Sequence, residues 1–402
     1  MADRLPDSLA ETTDSKILLA VLDGVGDVPS GELGGRTPLQ VAESPNLDRL
    51  AREGALGQHI PIEPGISPGS GPAHLALFGY DPVESCVGRG VLAAMGIGFD
   101  LREGDLAARI NFCTLADDGS VSDRRAGRIS TEKCRQLVEV LSRASVPGVK
   151  TFVNPVKEHR ACVVFRGDNL SDAVDDTDPG VVGRRPRPVR ATAEGAERSV
   201  EVVDSFLRQA LDLLEGRQPA NGILMRGFST YRPFPSMEER FRLDAAAAAL
   251  YPMYRGVASL VGMDLLEAGN SLEEEVSAAR EAASSGRTFV FLHHKPTDSS
   301  GEDGDEAAKI AAVEVFDGAL PDLLQAGFDV ICVTGDHSTP CPMKQHSWHP
   351  VPVLIHGGPQ RSGGSDAFSE REALTGALGT FYARQLMSLL LASAGKLRRF
   401  GA

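Results

Sequence analysis

Three short and almost entirely apolar segments constrain the fold of this 402-residue chain more than any other feature. They cover residues 17–22, 288–292 and 330–333, and none alternates between polar and apolar residues as a half-buried strand does. Strands of this kind suit a parallel sheet that is covered on both faces. Helical patterns between the later strand-like segments provide the crossovers that such a sheet needs. The sequence therefore predicts an α/β fold with a mostly parallel sheet.

Each apolar segment is followed closely by side chains that can bind a metal ion or a phosphate. Asp23 follows the first, Lys295 and Asp298 follow the second, and Asp336 and His337 follow the third. Ligands of open α/β sheets bind beyond the carboxyl ends of the strands. Adjacent carboxylate and imidazole groups are typical transition-metal ligands. The three segments together predict a metal site, whereas a single Asp-His pair is more often a turn with a hydrogen-bonded histidine, and each segment alone could be a strand followed by an ordinary polar loop.

A serine in a segment of small residues is a candidate nucleophile. Ser70 lies in the sequence PGSGPAH, directly before a helical pattern. One interpretation is a helix N-cap, because a serine oxygen accepts from a free backbone N–H. The other is a nucleophile, since glycine neighbours let a phosphate approach and a helix N-terminus stabilises its charge. No G-x-S-x-G motif surrounds the serine, so metal coordination is favoured over a hydrolase triad as its activator.

The acids and imidazoles near these segments suffice for two divalent ions. Paired metals about 3.5–4 Å apart suit in-line phosphoryl displacement. Asp298 and Glu302 are four residues apart, but Gly301 between them favours a loop over a helix, and a solvated acidic loop is the alternative for this pair. The candidate ligands are Asp23, Asp298, Glu302, Asp303, Asp336, His337 and His346.

Composition limits the partners of the chain. A formal net charge of -14 argues against a nucleic-acid-binding surface, although an acidic protein can hold a basic pocket for a small anion. No apolar segment approaches the length that spans a bilayer, and the first 16 residues are polar, unlike a secretory signal. The six cysteines show no C-x-x-C spacing. We therefore expect free thiols and a cytoplasmic location.

The length suits two domains. The pattern of strand-like and polar segments changes near residue 101 and again near residue 218. We predict a core formed by residues 1–100 and 219–402, interrupted by an inserted domain at 101–218. The insertion is rich in arginines, of which most would serve surface solvation and a few would clamp carboxylate or phosphate groups. The arginines in question are Arg124, Arg125, Arg128, Arg160, Arg184, Arg185, Arg187 and Arg190, with Arg226 and Arg255 outside the insertion.

Ordered motifs over nearly the whole chain resemble the archaeal-type cofactor-independent (2,3-bisphosphoglycerate-independent) phosphoglycerate mutases of the alkaline phosphatase superfamily. The motifs are LDGVGD (22–27), TPLQVAESPNLDRLAREGALG (37–57), PGSGPAHLALFGYDP (68–82), GRG (88–90), DRRAGRIS (123–130), DDTDP (175–179), PANGILMRG (219–227), YRGVASLVGMD (254–264) and GDHSTPC (335–341). The resemblance implies an alkaline-phosphatase-like three-layer core and an inserted smaller α+β domain that closes over the site.

The resemblance also implies roles for individual residues. Ser70 would be phosphorylated and would share one metal with Asp23, Asp336 and His337. Asp298 and His346, with Glu302 at the third ligand position, would bind the other metal. Further catalytic residues would be Lys295, Arg124 and Arg255, and the substrate, a small phosphorylated carboxylic acid, would contact Arg125, Arg160, Arg226 and Asp176.

Three positions depart from the family pattern. Gly71 replaces an acid beside the nucleophile, Glu302 replaces a metal-binding histidine, and His349 replaces an aspartate. A carboxylate in place of an imidazole implies a more oxygen-rich second site, which favours Mn²⁺ or Mg²⁺ over Zn²⁺, with Co²⁺ as a further candidate. The main hypothesis is interconversion of 3-phosphoglycerate and 2-phosphoglycerate. The alternatives are a phosphatase or phosphotransferase for another phosphate or phosphonate acid, and a non-catalytic ligand-binding relative.

Overall fold

The computed structural model describes residues 5–85 and 87–401, which contain thirteen strands and fourteen α-helices. The strands are β1 (Ile17–Leu22), β2 (Ala55–Ile60), β3 (Leu106–Leu115), β4 (Val121–Asp123), β5 (Lys150–Lys157), β6 (Arg160–Arg166), β7 (Gly222–Thr230), β8 (Ala245–Ala248), β9 (Asp264–Leu265), β10 (Phe289–His294), β11 (Val330–Thr334), β12 (Val351–His356) and β13 (Gly379–Tyr382). The helices are α1 (Leu5–Leu9), α2 (Pro38–Val41), α3 (Pro45–Glu53), α4 (Ser70–Leu77), α5 (Arg89–Gly96), α6 (Thr131–Leu141), α7 (Glu197–Leu214), α8 (Met237–Phe241), α9 (Pro252–Leu260), α10 (Leu272–Ser284), α11 (Pro296–Asp303), α12 (Glu306–Leu324), α13 (Glu370–Ala373) and α14 (Leu386–Ser393).

The chain forms two compact units, which we name the core unit (1–86 and 235–402) and the inserted unit (87–234). The predicted insertion, 101–218, lies within the inserted unit, which also takes in 87–100 and 219–234. Strand β7 belongs there because it pairs with β3 over most of its length. Helix α5 belongs there because Gly90 lies against the backbone of β3, where an added Cβ would be 2.3 Å from the Ala107 oxygen.

An eight-stranded sheet with the order β13-β2-β12-β11-β1-β10-β8-β9 forms the centre of the core unit. Its described strand pairs are parallel, except for the two that β12 makes with β11 and β2. The predicted mostly parallel α/β sheet is confirmed. Strand β12 is antiparallel to β11 because the connection between them contains no described helix that would serve as a crossover.

The two faces of this sheet are covered by different helices, which gives the expected three layers. On one face, alternate residues such as Leu18 and Leu292 pack into a buried cluster with residues of α3, α10 and α12. On the other face, Phe291 lies edge-on to Phe78, the residue that caps the C-terminus of α4, with ring centroids 5.0 Å apart. Burial on both faces is the reason that β1, β10 and β11 carry uninterrupted apolar sequences.

The sheet register brings the ends of three strands together. In the parallel pairing, Leu22 of β1 lies beside His294 of β10, and Val21 lies beside Thr334 of β11. The carboxyl ends of these neighbouring strands therefore meet at one edge of the sheet. The polar residues that follow each strand in the sequence are delivered to that edge.

The inserted unit is an antiparallel sheet with helices packed on it, as the α+β prediction requires. The strand order is β4-β3-β6-β5, with β7 paired to β3 on its other edge. Residues of α6 and α7, including Leu137 and Phe206, form a buried cluster with one face of this sheet.

The described helices include none long and apolar enough to cross a membrane. The cysteines Cys113, Cys134, Cys162, Cys332 and Cys341 are buried free thiols. Cys86, which the sequence also suggested as a free thiol, lies outside the described residues. The cytoplasmic location stays a prediction.

Candidate metal and phosphate site

Asp23, Asp336 and His337 form a fully buried group at the ends of β1 and β11. The His337 Nε2 atom lies 3.4 Å from Asp23 Oδ1 and 3.3 Å from Asp336 Oδ2. Neither of these two carboxylate oxygens accepts a hydrogen bond from a described residue. The Nδ1–H of His74, 3.1 Å from Asp336 Oδ2, donates instead to the Ser70 carbonyl at 2.8 Å. Buried carboxylate oxygens without hydrogen-bond donors lower the stability of the fold, and coordination of a divalent cation would remove this penalty.

A second group of possible ligands adjoins the first and shares His337. It adds Asp298 of α11, whose Oδ1 lies 3.6 Å from His346 Nε2. The rings of His337 and His346 stack with centroids 3.7 Å apart. In each group the possible ligand atoms lie within 4.8 Å of one another. The structure therefore brings together, from distant parts of the chain, the residues that could hold two ions.

Glu302 lies at the rim of the second group. Its Oε1 is 3.8 Å from His346 Nε2, and its side chain is 56% exposed. The prediction that 298–302 would be a loop is wrong, because these residues form one turn of α11. Gly301 serves close packing instead: a Cβ there would lie 2.2 Å from the Thr339 carbonyl oxygen. Asp303, at the end of α11, is exposed and outside both groups.

The hydrogen bonds behind the two histidines determine which ring nitrogen is available as a ligand. The Thr339 hydroxyl lies 2.6 Å from Asp298 Oδ1 and 3.0 Å from His337 Nδ1. Because its single proton is donated to the carboxylate, it must accept from His337 Nδ1–H. The Nδ1–H of His346 donates to the Pro68 carbonyl at 2.9 Å. In the neutral imidazole that donates from Nδ1, Nε2 carries no proton, and both Nε2 atoms face the carboxylates, as metal ligands require.

Replacement of Thr339 by valine should weaken divalent-cation binding about 10- to 100-fold, because His337 and Asp298 lose the hydroxyl that orients them. Calorimetric titration of the metal-free protein with Mn²⁺ measures this. Thr339→Ser, which keeps the hydroxyl, is the matched control and should bind as the wild type does. Equal affinity of the valine variant and the wild type would contradict the orienting role.

Ser70 lies beside the first group. It is the first residue of α4, and the N-cap is Gly69. The N-cap interpretation of Ser70 is therefore wrong, which leaves its hydroxyl available for other contacts. Its Oγ lies 3.3 Å from His337 Nε2. A hydroxyl at a helix N-terminus, next to possible metal ligands, is placed where a phosphate would be stabilised.

Lys295 contacts one carboxylate from each of the two groups of possible metal ligands. Its Nζ donates to Asp23 Oδ2 at 2.9 Å and also to Asp298. Burial alone would lower the pKa of Lys295, but the attraction of Asp23 and Asp298 raises it above its usual value. The ammonium therefore stays charged and supplies a fixed positive charge to the site.

Two aromatic residues lie beneath Asp23, and neither is among the predicted site residues. Tyr254 donates its hydroxyl to Asp23 Oδ2, and its ring stacks on His293 with centroids 3.6 Å apart. The His293 Nε2 lies 3.2 Å from the same oxygen. Strand β10 continues through His294, so His293 is a strand residue rather than a loop residue. The two-residue alternation that follows Phe291 would have placed it on this face.

Two of the predicted arginines of the inserted unit share one carboxylate. Arg124 binds Asp178 through both oxygens, with distances of 2.9 Å from Nε and 2.7 Å from Nη2. Arg226 Nη1 lies 3.3 Å from the same side chain. Asp176, a predicted substrate contact, accepts from the backbone N–H of Gly227 at 2.6 Å. The assigned roles of these residues in catalysis and substrate binding stay predictions.

The remaining predicted arginines have other surroundings. Arg160 Nη1 lies 3.8 Å from Glu158 Oε2, and Arg125 is exposed. Arg255, in the core unit, donates to the Leu266 carbonyl at 2.9 Å, a contact that supports the backbone. Its proposed catalytic role likewise stays a prediction.

Known proteins of one family are similar to this chain in sequence. Residues 51–221 match the model of the 2,3-bisphosphoglycerate-independent phosphoglycerate mutase family. A Thermus thermophilus relative, described as a probable enzyme of that kind, is 49% identical over 98% of each chain. An Aquifex aeolicus relative with the same description is 45% identical over 98% of each chain.

Two solved archaeal structures share the fold. A protein from Pyrococcus horikoshii, 32% identical, matches with a TM-score of 0.84 over 97% of this chain and 100% of its own. The cofactor-independent phosphoglycerate mutase of Thermoplasma acidophilum, 33% identical, matches with a TM-score of 0.71 over 95% of this chain and 100% of its own. Because relatives that are 45–49% identical match over 98% of this chain, the chain belongs to the 2,3-bisphosphoglycerate-independent phosphoglycerate mutase family.

Proposed function

We propose that this protein interconverts 3-phosphoglycerate and 2-phosphoglycerate by transferring the phosphoryl group to Ser70 and back. The observation that carries this proposal is the position of the Ser70 hydroxyl, at the first residue of α4 and 3.3 Å from His337. The same hydroxyl serves both halves of the reaction, so no bisphosphorylated cofactor is required.

We further propose that the site holds two divalent cations. The buried oxygens of Asp23 and Asp336 that lack donors fit such ions. Bound cations would lower the pKa of the serine hydroxyl and neutralise phosphate charge. The carboxylate of Glu302 favours Mn²⁺ or Mg²⁺ in the second group. The residues that would hold the ions are Asp23, Ser70, Asp336 and His337 for one, and Asp298, Glu302 and His346 for the other.

The reaction is balanced without water. Ser70 Oγ gives up its proton and attacks phosphorus as the bond from phosphorus to the substrate oxygen breaks, and that oxygen takes up a proton in exchange. The other glycerate hydroxyl then attacks the phosphoserine, loses its proton and restores the Ser70 hydroxyl. Lys295 and the free backbone N–H groups at the start of α4 would stabilise the transferred group. The family resemblance assigns the glycerate carboxylate to arginines, whose forked donors suit it.

The Mn²⁺-loaded protein should convert 3-phosphoglycerate to 2-phosphoglycerate in the absence of 2,3-bisphosphoglycerate. Phosphorus NMR measures both isomers and inorganic phosphate in one sample. Removal of the metal with a chelator should abolish the conversion, because Ser70 loses its activation, and added Mn²⁺ should restore it. Release of inorganic phosphate without 2-phosphoglycerate would show a phosphatase and contradict the proposal.

A further inference from the structure

A lysine interrupts the apolar stripe of helix α12. The buried residues of this helix are spaced three or four positions apart, and Lys309 lies one turn before Val313 and two turns before Phe316. The Lys309 side chain is fully buried. Apolar residues are the usual occupants of such a position, and a buried ammonium without partners would destabilise the fold. Packing alone therefore does not explain a lysine here.

All three protons of the Lys309 ammonium are used inside the protein. The Nζ atom donates to Asp27 Oδ2 at 2.8 Å, to the Gly26 carbonyl at 3.2 Å and to the Thr339 carbonyl at 2.9 Å. Gly26 and Asp27 lie in the loop after β1, and Thr339 lies in the loop after β11. The ammonium therefore joins to α12 the two loops that carry the first group of possible metal ligands.

Asp27 strengthens the same connection. Its carboxylate accepts from the backbone N–H of Cys341 at 3.1 Å and from that of Val28 at 2.8 Å. Its own backbone N–H donates to Glu370 Oε1 at 3.0 Å. Asp27 and Lys309 form a buried ion pair, which is weak evidence for stability because apolar residues of similar volume often replace such pairs without loss. What the pair contributes is geometry, since its hydrogen bonds hold each loop in one position.

Thr339 transmits this geometry to the site. Lys309 binds its carbonyl, while its hydroxyl donates to Asp298 at 2.6 Å and accepts from His337 at 3.0 Å. The backbone N–H of Thr339 also donates at 3.0 Å to the Gly26 carbonyl, which Lys309 binds as well. Groups that bind a metal ion must be held to within about 0.5 Å of their productive positions. A small displacement of Thr339 would therefore move both the carboxylate and the imidazole that depend on it.

We propose that Lys309 is a positioning residue for the divalent cations, an inference that rests on the cation site of the proposed function. The ammonium fixes Thr339, and Thr339 in turn orients His337 and Asp298. Because its three protons are already bound, Lys309 acts through Thr339 and not by contact with a cation or with the substrate.

The double variant Lys309→Met with Asp27→Asn tests this because it removes both charges of the buried pair. Lys309→Met alone leaves the Asp27 carboxylate without its cation and should lower the midpoint of thermal unfolding more than the double substitution does. Calorimetric titration of the metal-free double variant should show Mn²⁺ binding weakened about 10- to 100-fold at unchanged stoichiometry. A purely structural role predicts the reverse: a lower stoichiometry, because less protein is folded, and an unchanged affinity of the folded fraction.

Lys396→Met is the matched control for loss of a buried ammonium. Lys396 is fully buried in the core unit, and its Nζ donates to the Thr13 carbonyl at 2.6 Å and to the Thr13 hydroxyl at 3.1 Å. The substitution removes these hydrogen bonds and should lower the unfolding midpoint. Its affinity for Mn²⁺ should equal that of the wild type, since Lys396 binds neither of the two loops.

The route through Thr339 makes a separate prediction. Thr339→Val, added to the double variant, should weaken Mn²⁺ binding much less than it does in the wild type, because the hydroxyl is already displaced. Equal losses in the two backgrounds would show that Lys309 and Thr339 act independently and would overturn the inference.

The remaining results separate this inference from the proposed function. If the wild type binds Mn²⁺ and both Lys309 variants bind it with the same affinity, the positioning role is wrong. If the wild type binds Mn²⁺ and the variants bind it weakly, but the wild type does not form 2-phosphoglycerate, the positioning role stands and the proposed reaction fails. A wild type that binds no divalent cation would overturn both.

Discussion

Replacement of Ser70 by alanine should abolish the formation of 2-phosphoglycerate, with a fall in kcat on the order of 10⁴-fold or more. The methyl group offers no oxygen to accept the phosphoryl group, and the nearby His337 cannot replace a nucleophile whose attack is aligned by α4. Brief reaction of the wild type with 3-phosphoglycerate, followed by mass spectrometry, should find phosphate on the peptide that contains Ser70. The variant should carry none.

The exposed Ser67, three residues earlier in the same segment, provides the control. Ser67→Ala should retain both the activity and the phosphorylated peptide. The Ser70→Ala protein should still bind Mn²⁺, because Asp23, Asp336 and His337 remain in place. A Ser70→Ala variant with activity within about tenfold of the wild type would rule out the phosphoserine mechanism.

Replacement of Gly24 by alanine should destabilise the protein by about 2–5 kcal/mol and disrupt metal binding. Gly24 directly follows Asp23 and has a φ of +61°, in the left-handed region that side chains disfavour. A Cβ there would lie 2.4 Å from Thr339 Oγ1 and 2.7 Å from Asp298 Oδ1. Both atoms belong to the hydrogen bonds that orient the second ligand group, so relief of the clash must displace them.

Gly34→Ala separates the clash from the backbone strain. Gly34 has a similar φ of +66°, but a Cβ there would meet no atom within 4 Å. Its cost should be limited to about 1–2 kcal/mol of backbone strain, with unchanged Mn²⁺ affinity. Urea unfolding and calorimetric Mn²⁺ titration of both variants make the comparison. Should Gly24→Ala bind Mn²⁺ as tightly as Gly34→Ala does, close packing at Gly24 is not needed to form the site.

Much of the core could be predicted from sequence because burial leaves a local record. A strand covered on both faces has no polar residue until it ends, so the apolar segments at 17–22, 288–292 and 330–333 marked β1, β10 and β11 directly. Parallel pairing then required their carboxyl ends to meet. The placement of Asp23, Lys295 and the pair Asp336 and His337 at one edge followed from the common direction of the strands, whereas the sheet order β11-β1-β10 made them neighbours.

Other features depended on contacts between distant residues, which leave no pattern in a local window. Glycine at position 301 suggested a loop, but it is needed because α11 packs against the backbone of Thr339. Tyr254 of α9 donates a hydrogen bond to Asp23, although the two residues are 231 positions apart in the chain. Lys309 interrupts the apolar stripe of α12, but only the fold shows which carbonyl groups its ammonium binds.

The sequence by itself therefore determined the kind of sheet, the side chains at its carboxyl edge and the resemblance to the mutase family. Only the tertiary structure decided which hydroxyl fixes the tautomer of His337, which carboxylate oxygens lack donors, and which loops Lys309 joins. The physical reason is that apolar burial is recorded by spacing along the chain. Hydrogen-bond geometry and charge compensation are properties of pairs, which exist only after folding brings their members together.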